Sequence, residues 1–159
     1  MGAAGAGIAG LQLFQAYGQA QALAAMGDYQ KSMSEINARN AELQAKDAIK
    51  RGDEAASEYS KKVNQTVGSQ RTAYASQGVD IGYGSAKEIQ KETYEIGARD
   101  AMTIKNNAFL EAMGYKSQAA EMNRAGRMAQ MGSKSEAAST LLAGGINAAQ
   151  TMYSNYGRK

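Results

Sequence analysis

The side chains of this chain that could do chemistry are carboxylates, amines, guanidinium groups, hydroxyls and phenols, because it contains no His and no Cys. It therefore lacks a Ser–His or Cys–His nucleophile pair, a redox dithiol and the usual ligands of a structural zinc ion. Its 15 acidic residues alternate with 18 basic ones, so the paired carboxylates of a hydrolase are not indicated. The sequence predicts that the protein is not an enzyme, and it predicts no metal site and no cofactor.

The Gly-rich segment GVDIGYGS, at residues 78–85, is the other candidate for chemistry, as a phosphate-binding loop. No predicted strand precedes it and no Lys-Ser or Lys-Thr follows it, so it does not match that motif. Three glycines so close together instead permit the positive φ angles of a chain reversal. A Ser followed three residues later by a Glu matches a capping box at the start of a helix. We predict a turn built on Gly78, Gly82, Gly84, Ser85 and Glu88.

Charge is confined to the middle of the chain. Residues 1–27 and 137–157 carry no charged side chain, and the net charge of the whole chain is +3. No basic region precedes the N-terminal apolar residues, as it would in a secretory signal peptide. Four Gln interrupt those residues, so they would make a poor membrane span on their own. The mildly basic, mixed-sign middle predicts at most non-specific contact with DNA.

The chain contains no Pro, so nothing in it forces a helix to end. Small and apolar residues recur with a period of about 3.6–3.7 residues, which is helical and close to an 11-residue repeat. We call these two rows the seams. The first seam is Ser34, Ala38, Ala41, Ala45, Ala48, Gly52, Ala56, Tyr59, Val63 and Val67; the second is Gly97, Ala101, Ile104, Ala108, Ala112, Tyr115, Ala119, Met122 and Gly126.

Two seams separated by a Gly-rich turn predict an all-α fold, a long antiparallel helical hairpin. We expect an uncharged helical segment over residues 1–27, either continuous with the first long helix at 28–77 or broken from it near Gly27. The turn at 78–85 leads into a second long helix at 86–132. Gly132, followed by the capping-box pair Ser133 and Glu136, predicts a break and a further short helix over 133–159, uncharged except for a basic tail. Because a lone hairpin covers its seams only partly, we expect a homo-oligomer.

The two uncharged segments are amphipathic without charge, and the hairpin brings them together. Their polar residues form one stripe on each helix and are predicted to face a water-filled lumen: Gln12, Gln15, Gln19, Asn147 and Thr151. Their apolar residues are predicted to face a membrane or a partner: Leu13, Phe14, Leu141, Leu142, Ile146 and Tyr153. Three interpretations stay open: insertion into a membrane, packing within a soluble ring, and disorder of these segments in isolation.

Residues 70–119 resemble the small internal virion proteins of short-tailed bacteriophages, the ejection proteins released into the host envelope ahead of the DNA. The resemblance is carried by packing and turn residues: Arg71, Gly78, Val79, Gly84, Ser85, Asp100, Ile104, Asn107, Ala112, Gly114 and Tyr115. It implies a homo-oligomeric ring stored in the virion with other core, portal or tail proteins. After ejection, such a ring would form part of a DNA-translocation conduit across the host outer membrane.

Two other classes of protein remain as alternatives. The first is a soluble helical adaptor or secreted hairpin that binds partner helices without inserting into a membrane. The second is a nucleic-acid-packaging protein that uses its mild basicity, for which binding to DNA should weaken steeply with salt.

Overall fold

The computed structural model describes the backbone of residues 2–156 and the side chains of residues 7–154. Within that part the chain is all-helical, with helix α1 (Gly2–Ser76) and helix α2 (Gly84–Tyr156) joined by a short turn. The two helices pack against each other, which confirms the predicted helical hairpin. The predicted basic tail, Arg158 and Lys159, lies outside the described residues.

Both helices are unbroken, which settles one open prediction and corrects another. α1 passes through Gly27 without interruption. α2 passes through Gly132 in the same way, so the predicted break there and the separate C-terminal helix are wrong. An isolated Gly costs a helix only about 1 kcal/mol. Ser133 does not cap a new helix, because its side chain packs over Gly27 of α1.

The two seams form the interface between the helices, as predicted. Every residue of both seams is buried or half-buried. Glycines of one helix face side chains of the other, as in Gly52 with Ala108 and Gly97 with Val63. The members of each such pair lie equally far from Asp80 in the sequence. The buried core is therefore made mostly of Ala and Gly, which allows two helix backbones to approach closely.

The chain divides into two compact units, which we call the central unit (Asn40–Gln118) and the terminal unit (the described residues up to Arg39 and from Ala119 onward). In the central unit, Ala45, Ala48 and Ala112 form a buried cluster against which Tyr115 packs. Polar contacts tie the edges of this unit together. Arg51 bridges Glu111 at 3.0 Å, and Lys105 bridges Asp53 at 2.9 Å. Tyr59 Oη also donates a 2.7 Å hydrogen bond to Asp100 Oδ2.

The terminal unit has the same kind of core. Gly27 faces Ser133, Gly126 faces Ser34, and Gly144 faces Ala16. A Cβ added to Gly27 or Gly126 would come within 2.6 Å of the opposing Ser Cβ, so only Gly fits at these two positions without a shift. Close contact between small residues therefore holds the two helices together here.

The turn lies in the central unit and contains two glycines with positive φ, Gly78 (72°) and Gly84 (64°). This agrees with the expectation that at least one of the three turn glycines adopts such a conformation. The amide of Gly82 donates to Asp80 Oδ1 at 2.8 Å, and the amide of Val79 donates to the Tyr74 carbonyl at 3.0 Å. These bonds hold a tight reversal between the helices.

Candidate functional site

The candidate site lies in the terminal unit, where the two charge-free segments of the chain lie side by side. Small residues bring them together: Ala9, Ala20 and Ala148 are buried, and Ala16 fills the space over Gly144. Because these contacts use only the small side chains of each helix, the large side chains that the structure describes in these segments are left at an edge or on an outer face.

The uncharged polar residues share one edge of this unit. Gln12 Oε1 accepts a 3.2 Å hydrogen bond from Thr151 Oγ1, which places this side of α1 beside α2. Gln15 and Gln19 follow Gln12 by three and seven residues and are exposed, so they continue along the same side of α1. Thr151 Oγ1 is also 2.9 Å from the carbonyl of Asn147, one turn earlier on α2. The structure therefore brings the five polar residues to one edge, with Gln12 and Thr151 half-buried between the helices.

The six apolar residues predicted to face a membrane or partner are all exposed on the single chain. Leu13 and Leu141 lie beside the seam, whereas four others lie on the outer faces of the two helices: Phe14, Leu142, Ile146 and Tyr153. The outer residues are the more exposed, from 61% for Ile146 to 81% for Tyr153. Nothing within the described chain covers them.

A shallow, largely apolar groove of about 360 Å³ runs along the terminal unit, where Tyr17, Ala20 and Leu141 line it together with the polar Gln21 and the charged Lys134. Tyr17 follows Gln12 by five residues, about 140° around the helix, so the groove lies on the opposite edge from the polar residues. The charge-free part of the terminal unit therefore has one edge of uncharged polar residues, and its outer faces and its other edge are largely apolar as far as Lys134.

Asp28, the first charged residue after the charge-free segment of α1, makes contacts that the sequence analysis missed. Asp28 Oδ1 accepts a 2.6 Å hydrogen bond from Gln130 Nε2, and it lies 3.5 Å from Lys134 Nζ. The hydrogen bond from Gln130 and the positive charge of Lys134 hold the pKa of Asp28 below its ordinary value of 3.8. The carboxylate is thus fixed in its ionised form where the charge-free segment of α1 ends.

The start of α2 differs in detail from the sequence prediction. Because α2 begins at Gly84, Ser85 lies inside the first helical turn instead of capping it. Among the described residues, Ser85 and Glu88 do not form the hydrogen bonds of the predicted capping box. Gln90 instead links the start of α2 to α1: it is only 5% exposed, its Nε2 donates to the Ala86 carbonyl at 3.0 Å, and its Oε1 accepts from Arg71 Nε at 2.7 Å.

Neither of the two described helices contains an apolar stretch of the length that a membrane span requires. The described residues also contain no cluster of three or more acidic side chains able to hold a metal ion.

No protein-family model, no curated protein and no solved structure matches this chain. Its function has to be inferred from its own residues and contacts.

Proposed function

We propose that this protein is a structural ejection protein of a short-tailed bacteriophage. It is stored in the virion near the portal or tail, in contact with other core, portal or tail proteins. On infection it is released into the host envelope, where several copies form part of a DNA-translocation conduit across the outer membrane. In this conduit the terminal units of neighbouring copies lie side by side and form the wall.

The observation that supports this proposal is the division of the charge-free part of the terminal unit into one edge of uncharged polar residues and largely apolar sides. Gln12, Gln15 and Gln19 on α1 and Asn147 on α2 share that edge. A terminal unit with this arrangement can turn its amide groups to a water-filled lumen and its apolar sides to neighbouring terminal units or lipid. Tyr153, at the end of the described side chains, is of the type enriched at membrane–water interfaces.

A neutral lumen suits the passage of DNA. Lys and Arg on the wall would bind phosphates and hold the polymer, since each phosphate contact releases counterions and adds affinity. Asp and Glu would repel it. The amides and hydroxyls of the polar edge do neither, so they can wet the wall without fixing or excluding a polyanion. Any contact of this protein with DNA is therefore weak and non-specific.

The experiment that tests this function is dye release from liposomes, with purified protein and single substitutions. A charge buried at an apolar face, whether against lipid or against a neighbouring copy, is strongly unfavourable unless it is paired. Leu142→Lys should therefore abolish dye release, while Gln15→Lys should leave it intact. Leu110→Lys is the matched control, because Leu110 (67% exposed) resembles Leu142 (69% exposed) but lies in the central unit.

Far-UV circular dichroism establishes that each variant is folded. Equal dye release by wild type and Leu142→Lys would contradict the channel. No dye release by wild type, together with binding of isolated partner helices, would favour the soluble adaptor instead. A steep loss of DNA affinity with rising salt would favour the packaging protein.

A further inference from the structure

The outer face of α1 in the terminal unit carries a second apolar row, on the side opposite the seam. Gly7, Leu11, Phe14, Gly18 and Ala25 follow one another at helical spacing and are all exposed. Apart from the nearby backbone of α1 itself and the adjoining residues, no atom lies within 4 Å of the place where a Cβ would lie on Gly7 or Gly18. These two glycines therefore lower the stability of the helix without serving any contact inside the chain.

The outer face of α2 carries a matching row. Tyr153, Ala149, Ile146, Leu142 and Ser135 are exposed and share the side of α2 that lies opposite Gly144 of the seam. Leu142 and Ile146 each lie two residues from that glycine, about 200° around the helix. Neither row contains a charged residue.

The two rows are complementary in size at three positions under the pairing that already holds inside the hairpin. There, paired residues are symmetric about Asp80, and each glycine of the seam faces a side chain, as Gly144 faces Ala16. Applied to the outer faces, the same rule sets a small residue against a large one in three pairs: Gly7 with Tyr153, Leu11 with Ala149, and Gly18 with Leu142. The other two pairs are Phe14 with Ile146, both large, and Ala25 with Ser135, both small.

The exposed area of the chain is large enough for such contacts. The chain exposes 11502 Å², whereas a compact monomer of 16.8 kDa exposes about 7,700 Å². The excess of roughly 3,800 Å² belongs to the whole chain, and it leaves ample surface for one contact on each outer face of the terminal unit. A second copy is also the partner whose surface these rows match without any charge.

We propose that the outer face of α1 in one copy packs against the outer face of α2 in a second copy, with Gly18 opposite Leu142. The contact is heterologous, so every copy offers both faces and the contact repeats from copy to copy. This inference rests on the proposed function, because it names the contact between neighbouring terminal units in the proposed wall. It leaves the polar edge uncovered on every copy.

Disulfide cross-linking tests the contact cleanly, because the chain has no Cys of its own. The double variant Gly18→Cys/Leu142→Cys should, on oxidation, give a ladder of dimers, trimers and higher species on a non-reducing gel. The two positions lie on the outer faces of different helices of one chain, too far apart to bridge within it. Both are exposed, so neither substitution disturbs the seam.

The matched control is Gly18→Cys/Ser135→Cys, which uses the same two faces but shifts one partner by seven residues, about 10 Å. It should lose the ladder, as should each single-Cys variant. A ladder of equal yield from the control, or dimers from Gly18→Cys alone at the yield of the double variant, would overturn the proposed pairing.

Sedimentation and dye release separate this inference from the proposed function. Oligomers in sedimentation with no ladder would overturn the contact and leave the channel standing. A ladder without dye release from wild type would overturn the channel and leave the contact standing. A monomer at micromolar concentration with full helicity would overturn both.

Discussion

The central and terminal units are built on the same core but differ at their edges and on their outer faces. In both, glycines of one helix face small side chains of the other, as in Gly52 with Ala108 and Gly144 with Ala16. The central unit is tied at its edges by ion pairs such as Arg51–Glu111. The charge-free part of the terminal unit has amides at one edge and uncovered apolar faces elsewhere. The core thus sets the fold in both units, and the proposed function depends on where they differ.

The largest expected effect tests the shared core. Gly52→Val would drive a side chain into Ala108, and overpacking of this kind should lower the free energy of unfolding by about 2–3 kcal/mol. Gly144→Val, against Ala16, should have a similar effect in the terminal unit. Urea denaturation followed by circular dichroism gives both values. Gly68→Val is the control: it meets open space and should change stability by less than about 0.5 kcal/mol. Equal effects at Gly52 and Gly68 would show that the close approach of the helices is wrong.

The turn should give the next largest effect. Gly78 has a φ of 72°, which a β-branched residue adopts only with strain. Gly78→Val should therefore lower the free energy of unfolding by about 1–2 kcal/mol in the same denaturation experiment. The φ of Gly82 is not positive, so Gly82→Ala should cost less. If Gly78→Val is as stable as wild type, the turn has a different conformation.

Salt should distinguish the central unit from the charge-free part of the terminal unit by a smaller effect. Glu111→Gln removes the partner of Arg51 on the opposite helix and leaves its pairing with Asp47 in place, and the loss should show as a lower melting temperature at low ionic strength. At about 1 M salt, where the Debye length falls to about 3 Å, wild type and variant should converge. Gln15→Ala, in the charge-free part of the terminal unit, should show the same melting difference at every salt concentration. A salt-independent effect of Glu111→Gln would mean that the ion pair contributes nothing.

The smallest expected effects are on the pH dependence of stability. One contribution is lost at acid pH in the terminal unit, and the other is lost at alkaline pH in the central unit. In the terminal unit the pKa of Asp28 is lowered by Gln130 and Lys134, so its contribution to stability is complete above pH 3.8 and is lost as pH falls through the lowered pKa. In the central unit the hydrogen bond to Asp100 raises the pKa of Tyr59 above 10.0. Its contribution is complete below pH 10 and is lost as pH rises through the raised pKa.

Melting curves of Asp28→Asn and Tyr59→Phe against wild type measure these contributions. The difference for Asp28→Asn should shrink only at acid pH, and that for Tyr59→Phe only at alkaline pH. A difference for Asp28→Asn that shrinks only at alkaline pH, or one for Tyr59→Phe that shrinks only at acid pH, would contradict the contacts described for these two side chains.

The sequence predicted the seams and the turn because both depend on local spacing and residue size. The sequence also contains an indication of which residues of the two helices face each other. The two seams mirror each other about Asp80, which is the pairing that places Gly52 against Ala108. With that pairing, the contact of Asp28 with residues near 132 could have been anticipated, although the choice of Gln130 and Lys134 depends on side-chain rotamers.

The error at Gly132 has a different physical cause. Gly132, Ser133 and Glu136 form a valid local stop-and-start pattern, but packing of Ser133 against Gly27 of the other helix outweighs it. The role of Gln90 was missed for a similar reason. A Gln inside a helix gives no local signal that it will be buried and bonded to Arg71 on the opposite helix.

The most direct test of the central claim, that the polar edge of the terminal unit faces a lumen, is the reversal potential of single channels in a salt gradient. Gln15→Lys and Gln15→Glu place opposite charges at that edge without changing the seam. A lumen-facing residue 15 predicts a shift toward anion selectivity for Gln15→Lys and toward cation selectivity for Gln15→Glu, each relative to wild type. Channels whose reversal potential is the same in all three proteins would contradict the account.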